Sequence, residues 1–387
     1  MTRIYLDHAA TTPMVPEAVV AMTEELTRVG NASALHGSGR AARRVVEDSR
    51  ELIAARVGAR PGEVIFTSGG TESDNLAVKG AYWGRRDPDR RRVVTSVVEH
   101  HAVLDSVAWL AAAEGAEMDL VPVDGQGRVD LAAAERLVDR RTAVVSVMAA
   151  NNEVGTRQPV RQIALLAAAV GAVSHSDAVQ AVGHVPVDFA ASGLDLMTFT
   201  AHKLGGPYGV GALVARRETA LTSVQHGGGQ ERDVRSGTLD VAAVAGFAAA
   251  VEVAVADVVA EETRLRELRA ELIAAVTAAV PDVTLHGATA AEDALPGITN
   301  LGFAGCSADS VLMLLDAAGI DCSAGSACSA GVSQASHVLT AMGVAEADAR
   351  SSLRFSLGRS STRADVHALV AALPEAVARA RAAAAFV

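Results

Sequence analysis

The sequence predicts an α/β protein built largely on a mostly parallel sheet, with a smaller α+β region after it. Two observations lead there. Through the first two thirds of the 387 residues, apolar runs of strand length alternate with helical patterns. That rhythm belongs to a parallel sheet covered on both faces. After about residue 260 it gives way to shorter, mixed elements, so a boundary is expected there. In open α/β sheets ligands bind at the carboxyl ends of the strands, which is where the chemistry is sought.

Taken in order, "EVIFTSGG" (63–70), "RRVVTSVV" (91–98), "TAVVSVMAA" (142–150), "GAVSHSDA" (171–178) and "DLMTFTAHK" (195–203) each read as a buried strand ending in polar residues. Helices are expected between them at 101–114, 130–139 and 160–170. "GPYGVGALVARR" (206–217) follows its predecessor closely enough to be an antiparallel partner. One long helical pattern runs from about Val241 to Val280. Then come "VTLHG", "GITNLGF", a helix at 307–319, a small-residue loop holding Cys328, "SLRFSLG" and a final helix from about 363.

A net charge of −11 argues against a nucleic-acid footprint. The one dense basic stretch, "GRRDPDRRR" (84–92), is broken by Asp and Pro and reads as a solvated loop, with a tRNA-facing patch as the alternative. The longest apolar run, "VAAVAGFAAAV" (241–251), falls short of a membrane span. The first residues lack the apolar core of a signal peptide. Three cysteines do not make a disulfide framework. A cytoplasmic protein with reduced thiols is expected, with no membrane and no direct nucleic-acid partner.

Three strand ends carry complementary chemistry. In "TSGGTESDN" (67–75), Gly70 and Thr71 open a helix whose free N–H groups suit a phosphate; an ordinary capped turn gives the same pattern. In "SHSDAVQAVG" (174–183), Asp177 can keep a pyridine nitrogen protonated, with Gln180 near a ring oxygen, or it can simply cap the next turn. In "TFTAHKLGGPYG" (198–209), Lys203 follows Thr200 and His202 and can form a Schiff base with an aldehyde. An anion cradle, a carboxylate and a lysine on one sheet fit pyridoxal 5'-phosphate better than three separate accidents. His100 in "VVEHHAV" can stack on a flat ring or move protons, while His101 is expected at the surface. Asn152 in "NNEVG" can bond a ring oxygen or substrate. Arg354 in "SLRFSLG" can clamp a carboxylate in two-point fashion, unless that face of the strand is merely exposed.

Together these residues resemble the cysteine desulfurases of the NifS/IscS type, class-V aminotransferase relatives that use pyridoxal phosphate. "YLDHAATTP", "TSGGTESDNLA", "VVEHHAVLD", "NNEVG", "DAVQAVG", "HKLGGPYGVGAL", "GGGQERDVRSGT", "SAGSACSAG" and "SLRFSLGR" occur in the family's order over nearly the whole chain. The resemblance implies the aspartate-aminotransferase-like fold, with a seven-stranded-type sheet in a large cofactor-binding domain at 13–260. A small α+β domain would comprise 1–12 and 261–387. It makes Lys203 the lysine that holds the cofactor. Gly70, Thr71, Thr200 and His202 hold its phosphate, joined by Thr238 of the partner subunit in a homodimer. Asp177 pairs with the ring nitrogen, Gln180 and Asn152 with the ring oxygen, and His100 stacks on the ring. Asn152 and Arg354 fix the carboxylate of L-cysteine.

Cys328 becomes the nucleophile that takes the sulfur as a persulfide, which explains a cysteine among small residues, where a thiol has access and freedom to travel. The loop matches the family's longer-loop branch. The sulfur would pass to an acceptor protein, either an iron–sulfur scaffold or a tRNA-thiolating enzyme. The Cys328 persulfide is also a candidate ligand to a shared 2Fe–2S cluster. Cys306 and Cys322 have no counterpart and are expected to be buried and structural. His8 departs from the Tyr or Asn of many relatives. An aminotransferase or a selenocysteine lyase on the same fold remains the alternative, separated by Cys328 and its loop. A non-enzymatic metal-binding or interaction protein using the three cysteines is a further one, though their spacing is not that of a zinc site.

Overall fold

The runs expected as strands all form strands in the computed structural model, which describes residues 3–85, 87–325 and 335–385. In chain order the first eight are β1 (Ile4–Tyr5), β2 (Val64–Thr67), β3 (Arg92–Ser96), β4 (Glu117–Val121), β5 (Thr142–Ser146), β6 (Val173–Asp177), β7 (Leu196–Thr200) and β8 (Gly211–Ala215). Seven of them make one sheet in the order β2-β8-β7-β6-β5-β3-β4. The strands from β7 to β4 pair in parallel. β8 runs antiparallel to both its neighbours, β7 and β2. β2 therefore points the same way as β7, and its carboxyl end reaches the same edge as those of β3, β5, β6 and β7.

Strands β5 to β8 are buried along their whole length, as strands covered by helical layers on both faces are. The polar residues within them are satisfied sideways. Ser146 Oγ lies 2.8 Å from His175 Nδ1, and His175 Nε2 lies 3.1 Å from Thr198 Oγ1, a bridge across β5, β6 and β7. Burial pushes the His175 pKa down to about 3, so it is neutral.

Sequence patterning misses β4. It carries Glu117 and Asp119 at the sheet edge, where charges discourage pairing with other chains and erase the apolar run. The expected single helix at 241–280 is two, Val241–Ala256 and Val258–Ala279, meeting at 69°. Asp257, a residue that favours helix ends over interiors, leaves helical geometry there.

The later strands are β9 (Val283–His286), β10 (Ile298–Phe303), β11 (Ile320–Asp321) and β12 (Ser352–Ser356). β12, β10 and β9 form an antiparallel sheet, and β1 pairs in parallel with β11. Helices Val258–Ala279, Ala308–Ala317 and Arg363–Ala384 pack here around Leu301, Phe303, Leu353 and Phe355, a core that also takes in Leu6 from the N-terminal segment. Residues 6–12 thereby run between the second core and the edge of the large sheet. Among the described residues no single helix is long and apolar enough to cross a membrane, and no group of three or more His, Cys, Asp or Glu is placed to hold a metal.

Candidate active site

The carboxyl edge of the large sheet borders a cavity of about 400 Å³. Gly70, Thr71, His100, Asn152, Asp177, Gln180, Thr200, His202, Lys203 and Arg354 all line it, so the structure brings together residues spread over 285 positions of sequence. Thr238 is exposed and outside this lining. Cys328 lies outside the described residues, and so do the roles expected of it.

The turn after β2 shows why two glycines precede the helix Gly70–Arg85. Gly69 has φ 152°, in the half of backbone space open chiefly to glycine. A Cβ on the facing Gly211 would stand 2.8 Å from the Gly69 Cα, so β8 can approach only as glycine. Thr67 Oγ1 and Ser73 Oγ, 2.7 Å apart, tie strand to helix. Arg235 holds Glu72 through two bonds, of 2.7 and 3.2 Å, and secures the same turn from the "RSGT" segment.

Lys203 sits in the short 3-10 turn that follows β7. Its Nζ donates to the carbonyls of Ala9, at 2.5 Å, and Ala10, at 2.7 Å. Gln180 Nε2 donates to the same Ala9 carbonyl at 3.0 Å. Loss of solvent and then the Arg354 charge push the lysine pKa down to about 8, against the opposing pull of Asp7 and Asp177. Asp177, buried at the end of β6, accepts from the Val179 N–H at 2.9 Å. Burial raises its pKa, opposed by that bond and by the nearby His100 and Lys203. A cation seated against it would restore the carboxylate.

His100 caps the helix His101–Glu114, its Nδ1 accepting the Ala102 N–H at 3.1 Å. Since an amide can only donate, the neutral ring carries its proton on Nε2. Desolvation lowers its pKa despite Asp177. His202 is driven down to about 4 by burial and then by Lys203.

The bland alternative for Arg354, an exposed sheet face, is excluded, because the side chain is buried on β12. Its Nη1 donates to the Asn152 carbonyl at 2.8 Å and its Nη2 to Asp7 Oδ1 at 2.7 Å, while Nε is buried without a partner. Asn152 is presented by a turn that Asn151 organises. The Asn151 Oδ1 accepts from the N–H groups of Glu153 and Val154, at 2.8 and 3.0 Å, and its Nδ2 donates to the Val98 carbonyl at 2.9 Å.

Sequence reasoning misses several residues that shape this cavity. Glu99 is buried below His100, accepting from Ser96 Oγ at 2.5 Å and from the Met148 N–H at 2.9 Å. Asp74, on the helix after the glycine turn, is buried with no hydrogen bond at Oδ1, which lies 3.6 Å from His175 Nε2, and burial plus Asp177 raise its pKa well above the usual range. Asp7 bonds Arg354, Asn151 organises the Asn152 turn, and Glu153 in that turn accepts from Ser336 Oγ. His101 is exposed as expected, yet it also lines the cavity and meets His337, the ring centroids 5.1 Å apart. The adjacency of Glu99 to His100, and of Asn151 and Glu153 to Asn152, was the available signal. Nothing local marked Asp7 or His337. Cys306 and Cys322 are partly buried against the second core, and burial holds the Cys322 thiol up at about 12.

The donor set fits pyridoxal phosphate. A desolvated amine bonded only to carbonyls, a buried carboxylate, and a glycine turn at a helix start with Thr200 and His202 beside it match the aldehyde, ring nitrogen and phosphate of that molecule. The class-V aminotransferase family model matches residues 4–369. The IscS-like cysteine desulfurase of Mycobacterium tuberculosis is 56% identical over 386 residues, 98% of each chain. A solved NifS-like protein aligns over 100% of both chains at 32% identity with a TM-score of 0.89. SspA, solved in complex with cysteine, covers 92% of this chain and 99% of its own at 31% identity and a TM-score of 0.79. The chain belongs to the class-V aminotransferase family and, within it, to the IscS- and NifS-like cysteine desulfurases.

Proposed function

We propose that the protein is a pyridoxal-phosphate-dependent cysteine desulfurase that releases L-alanine from L-cysteine and takes the sulfur as a persulfide on Cys328. The convergence of Lys203, Asp177 and Arg354 on one cavity carries this reading. Lys203 would hold the cofactor's aldehyde carbon, Asp177 its ring nitrogen, and Gly70, Thr71, Thr200 and His202 its phosphate, with Thr238 of the partner subunit completing the cradle in a homodimer. Gln180 and Asn152 would meet the ring oxygen and His100 the ring face.

Bound pyridoxal phosphate supplies an electron sink for charge at the substrate's α-carbon. Arg354 takes the substrate carboxylate, its planar fork already fixed by Asn152 and Asp7. The Lys203 amine, whose lowered pKa suits it to accept a proton near neutral pH, would take the α-hydrogen. His100, with Nε2–H directed by its capped Nδ1, is suited to donate one. The separate sheets and cores support a division into a large domain at 13–260 and a small one made of 1–12 and 261–387. The persulfide would serve a cytoplasmic acceptor protein, an iron–sulfur scaffold or a tRNA-thiolating enzyme.

The test compares the parent with Cys328→Ala for alanine and sulfide release from L-cysteine with a reductant present. The parent should make both products. The variant should bind pyridoxal phosphate and make neither, a loss on the order of a thousandfold or more. Equal release by both proteins would move an aminotransferase-type activity to the front.

A further inference from the structure

His100 and His337 face the same cavity, and the backbone leaves a donor free on one ring and an acceptor free on the other. The His100 Nδ1 accepts an amide N–H, so that ring offers the cavity a donor at Nε2. His337 Nε2 lies 3.0 Å from the Glu99 carbonyl. A carbonyl can only accept, so Nε2 must carry a proton, and in the neutral ring Nδ1 is then the nitrogen with the lone pair. Among the described residues Nδ1 has no hydrogen-bond partner. Ser336 holds the ring's backbone in place, donating to Glu153 Oε2 at 2.5 Å and capping Leu339 at 3.1 Å. The charged or titratable groups around it are His100 and His101 from the end of β3, Glu99 beneath them, and Glu153 from the Asn152 turn.

We infer that His337 is a second imidazole of the active cavity, serving as the base that takes up a thiol proton while His100 acts as the donor. The inference rests on the desulfurase reading, and the chemistry of that reaction requires such a base. In the overall step the C–S bond of L-cysteine breaks, an S–S bond forms to Cys328, and two thiol protons are redistributed. One ends on the carbon that lost sulfur and the other on the terminal sulfur of the persulfide. The carbon is reduced as the transferred sulfur is oxidised, so no outside oxidant or reductant enters. His337 carries one proton in transit and is itself unchanged at the end.

His337→Gln is the informative variant, because its side-chain amide can still donate to the Glu99 carbonyl but offers no basic nitrogen. In the pyridoxal-phosphate-loaded dimer, single-turnover persulfide formation on Cys328, read by mass, should slow about a hundredfold. Cofactor uptake by the apoprotein and the absorbance change on adding L-alanine, which has no thiol, should match the parent. Repeating the L-cysteine absorbance change in the Cys328→Ala background identifies the thiol. Slowing that persists there assigns the proton to the substrate, and slowing confined to the protein with Cys328 assigns it to Cys328. If His337→Gln keeps the parent's rate within about threefold while His337→Phe does not, the residue is only an anchor and the inference is wrong. A parent that releases no alanine from L-cysteine would instead overturn the desulfurase reading, and this inference with it.

Discussion

On the floor of the cavity each functional side chain stands within a few residues of a strand end. On the wall, Arg354 reaches Asn152 across 202 positions and Asp7 across 347. Asp177 and Thr200 are held by nearby backbone and by the buried sheet under them, and the turn after β7 places Lys203, whose amine alone reaches out to the Ala9 and Ala10 carbonyls of the N-terminal segment. The wall is held by side chains from two sheets and the N-terminal segment that meet only once both cores are formed. Position on the floor follows from local structure, while position on the wall follows from docking. Substitutions on the wall should therefore disturb substrate before cofactor, and substitutions beneath the floor should register in stability.

The largest expected effect is on the wall. Arg354→Lys keeps the charge but cannot supply three donors in one plane. The KM for L-cysteine should rise on the order of a hundredfold, about 2.7 kcal/mol of lost substrate binding, with pyridoxal-phosphate uptake within about threefold of the parent. Steady-state kinetics and cofactor titration separate the two. Loss of cofactor affinity as large as the loss in KM would show that floor and wall are one unit and break the comparison.

The same division governs what could be read from the chain. Strand-end polarity made Asp177, Thr200, His202 and Lys203 legible, because the apolar run before each is the buried strand that places it. The glycine turn before Thr71 was legible for the same reason. Arg354 was visible only as an arginine alternating with apolar neighbours. Its partners Asp7 and the Asn152 carbonyl depend on the packing of residues 6–12 against β12, which no local pattern encodes. β4 was hidden by Glu117 and Asp119, and the break at Asp257 by a helical pattern that continues past it. Asp74 and Glu99 read as ordinary helix and turn acids, since burial by distant elements leaves no local trace.

Glu99 gives the next effect, beneath the floor. Burial, reinforced by Asp177, raises its pKa to about 8 from an ordinary 4.5, even against the bonds from Ser96 and Met148. The folded state thus holds this proton more tightly than the unfolded one. Its stabilising contribution is full below about pH 4.5 and is lost as pH rises toward 8. Glu99→Gln cannot ionise, and its amide takes the place of the oxygen that has no partner. Relative to the parent, the variant should gain about 5 °C in Tm between pH 5 and pH 8.5, whatever its offset at low pH. A constant difference in Tm across that range would mean that Glu99 ionises as readily folded as unfolded.

The smallest effect returns to the wall, at Ser336. Its hydroxyl caps Leu339 and donates to the buried Glu153, so Ser336→Ala removes a cap worth about 1 kcal/mol and a hydrogen bond of similar size. Because the wall forms by docking, the loss should appear as a lower Tm by a few degrees and a modest fall in kcat, under about fivefold, as His337 loses its support. Cofactor affinity should not change, since no floor residue bonds to Ser336. Thermal melts with and without added pyridoxal phosphate test this directly. The upward shift in Tm that the cofactor produces depends only on its affinity for the folded state, so it should be equal in parent and variant. A smaller shift in the variant would mean that the downstream end of the Cys328 segment helps to hold the cofactor, and that the wall reaches further into the floor than its hydrogen bonds alone convey.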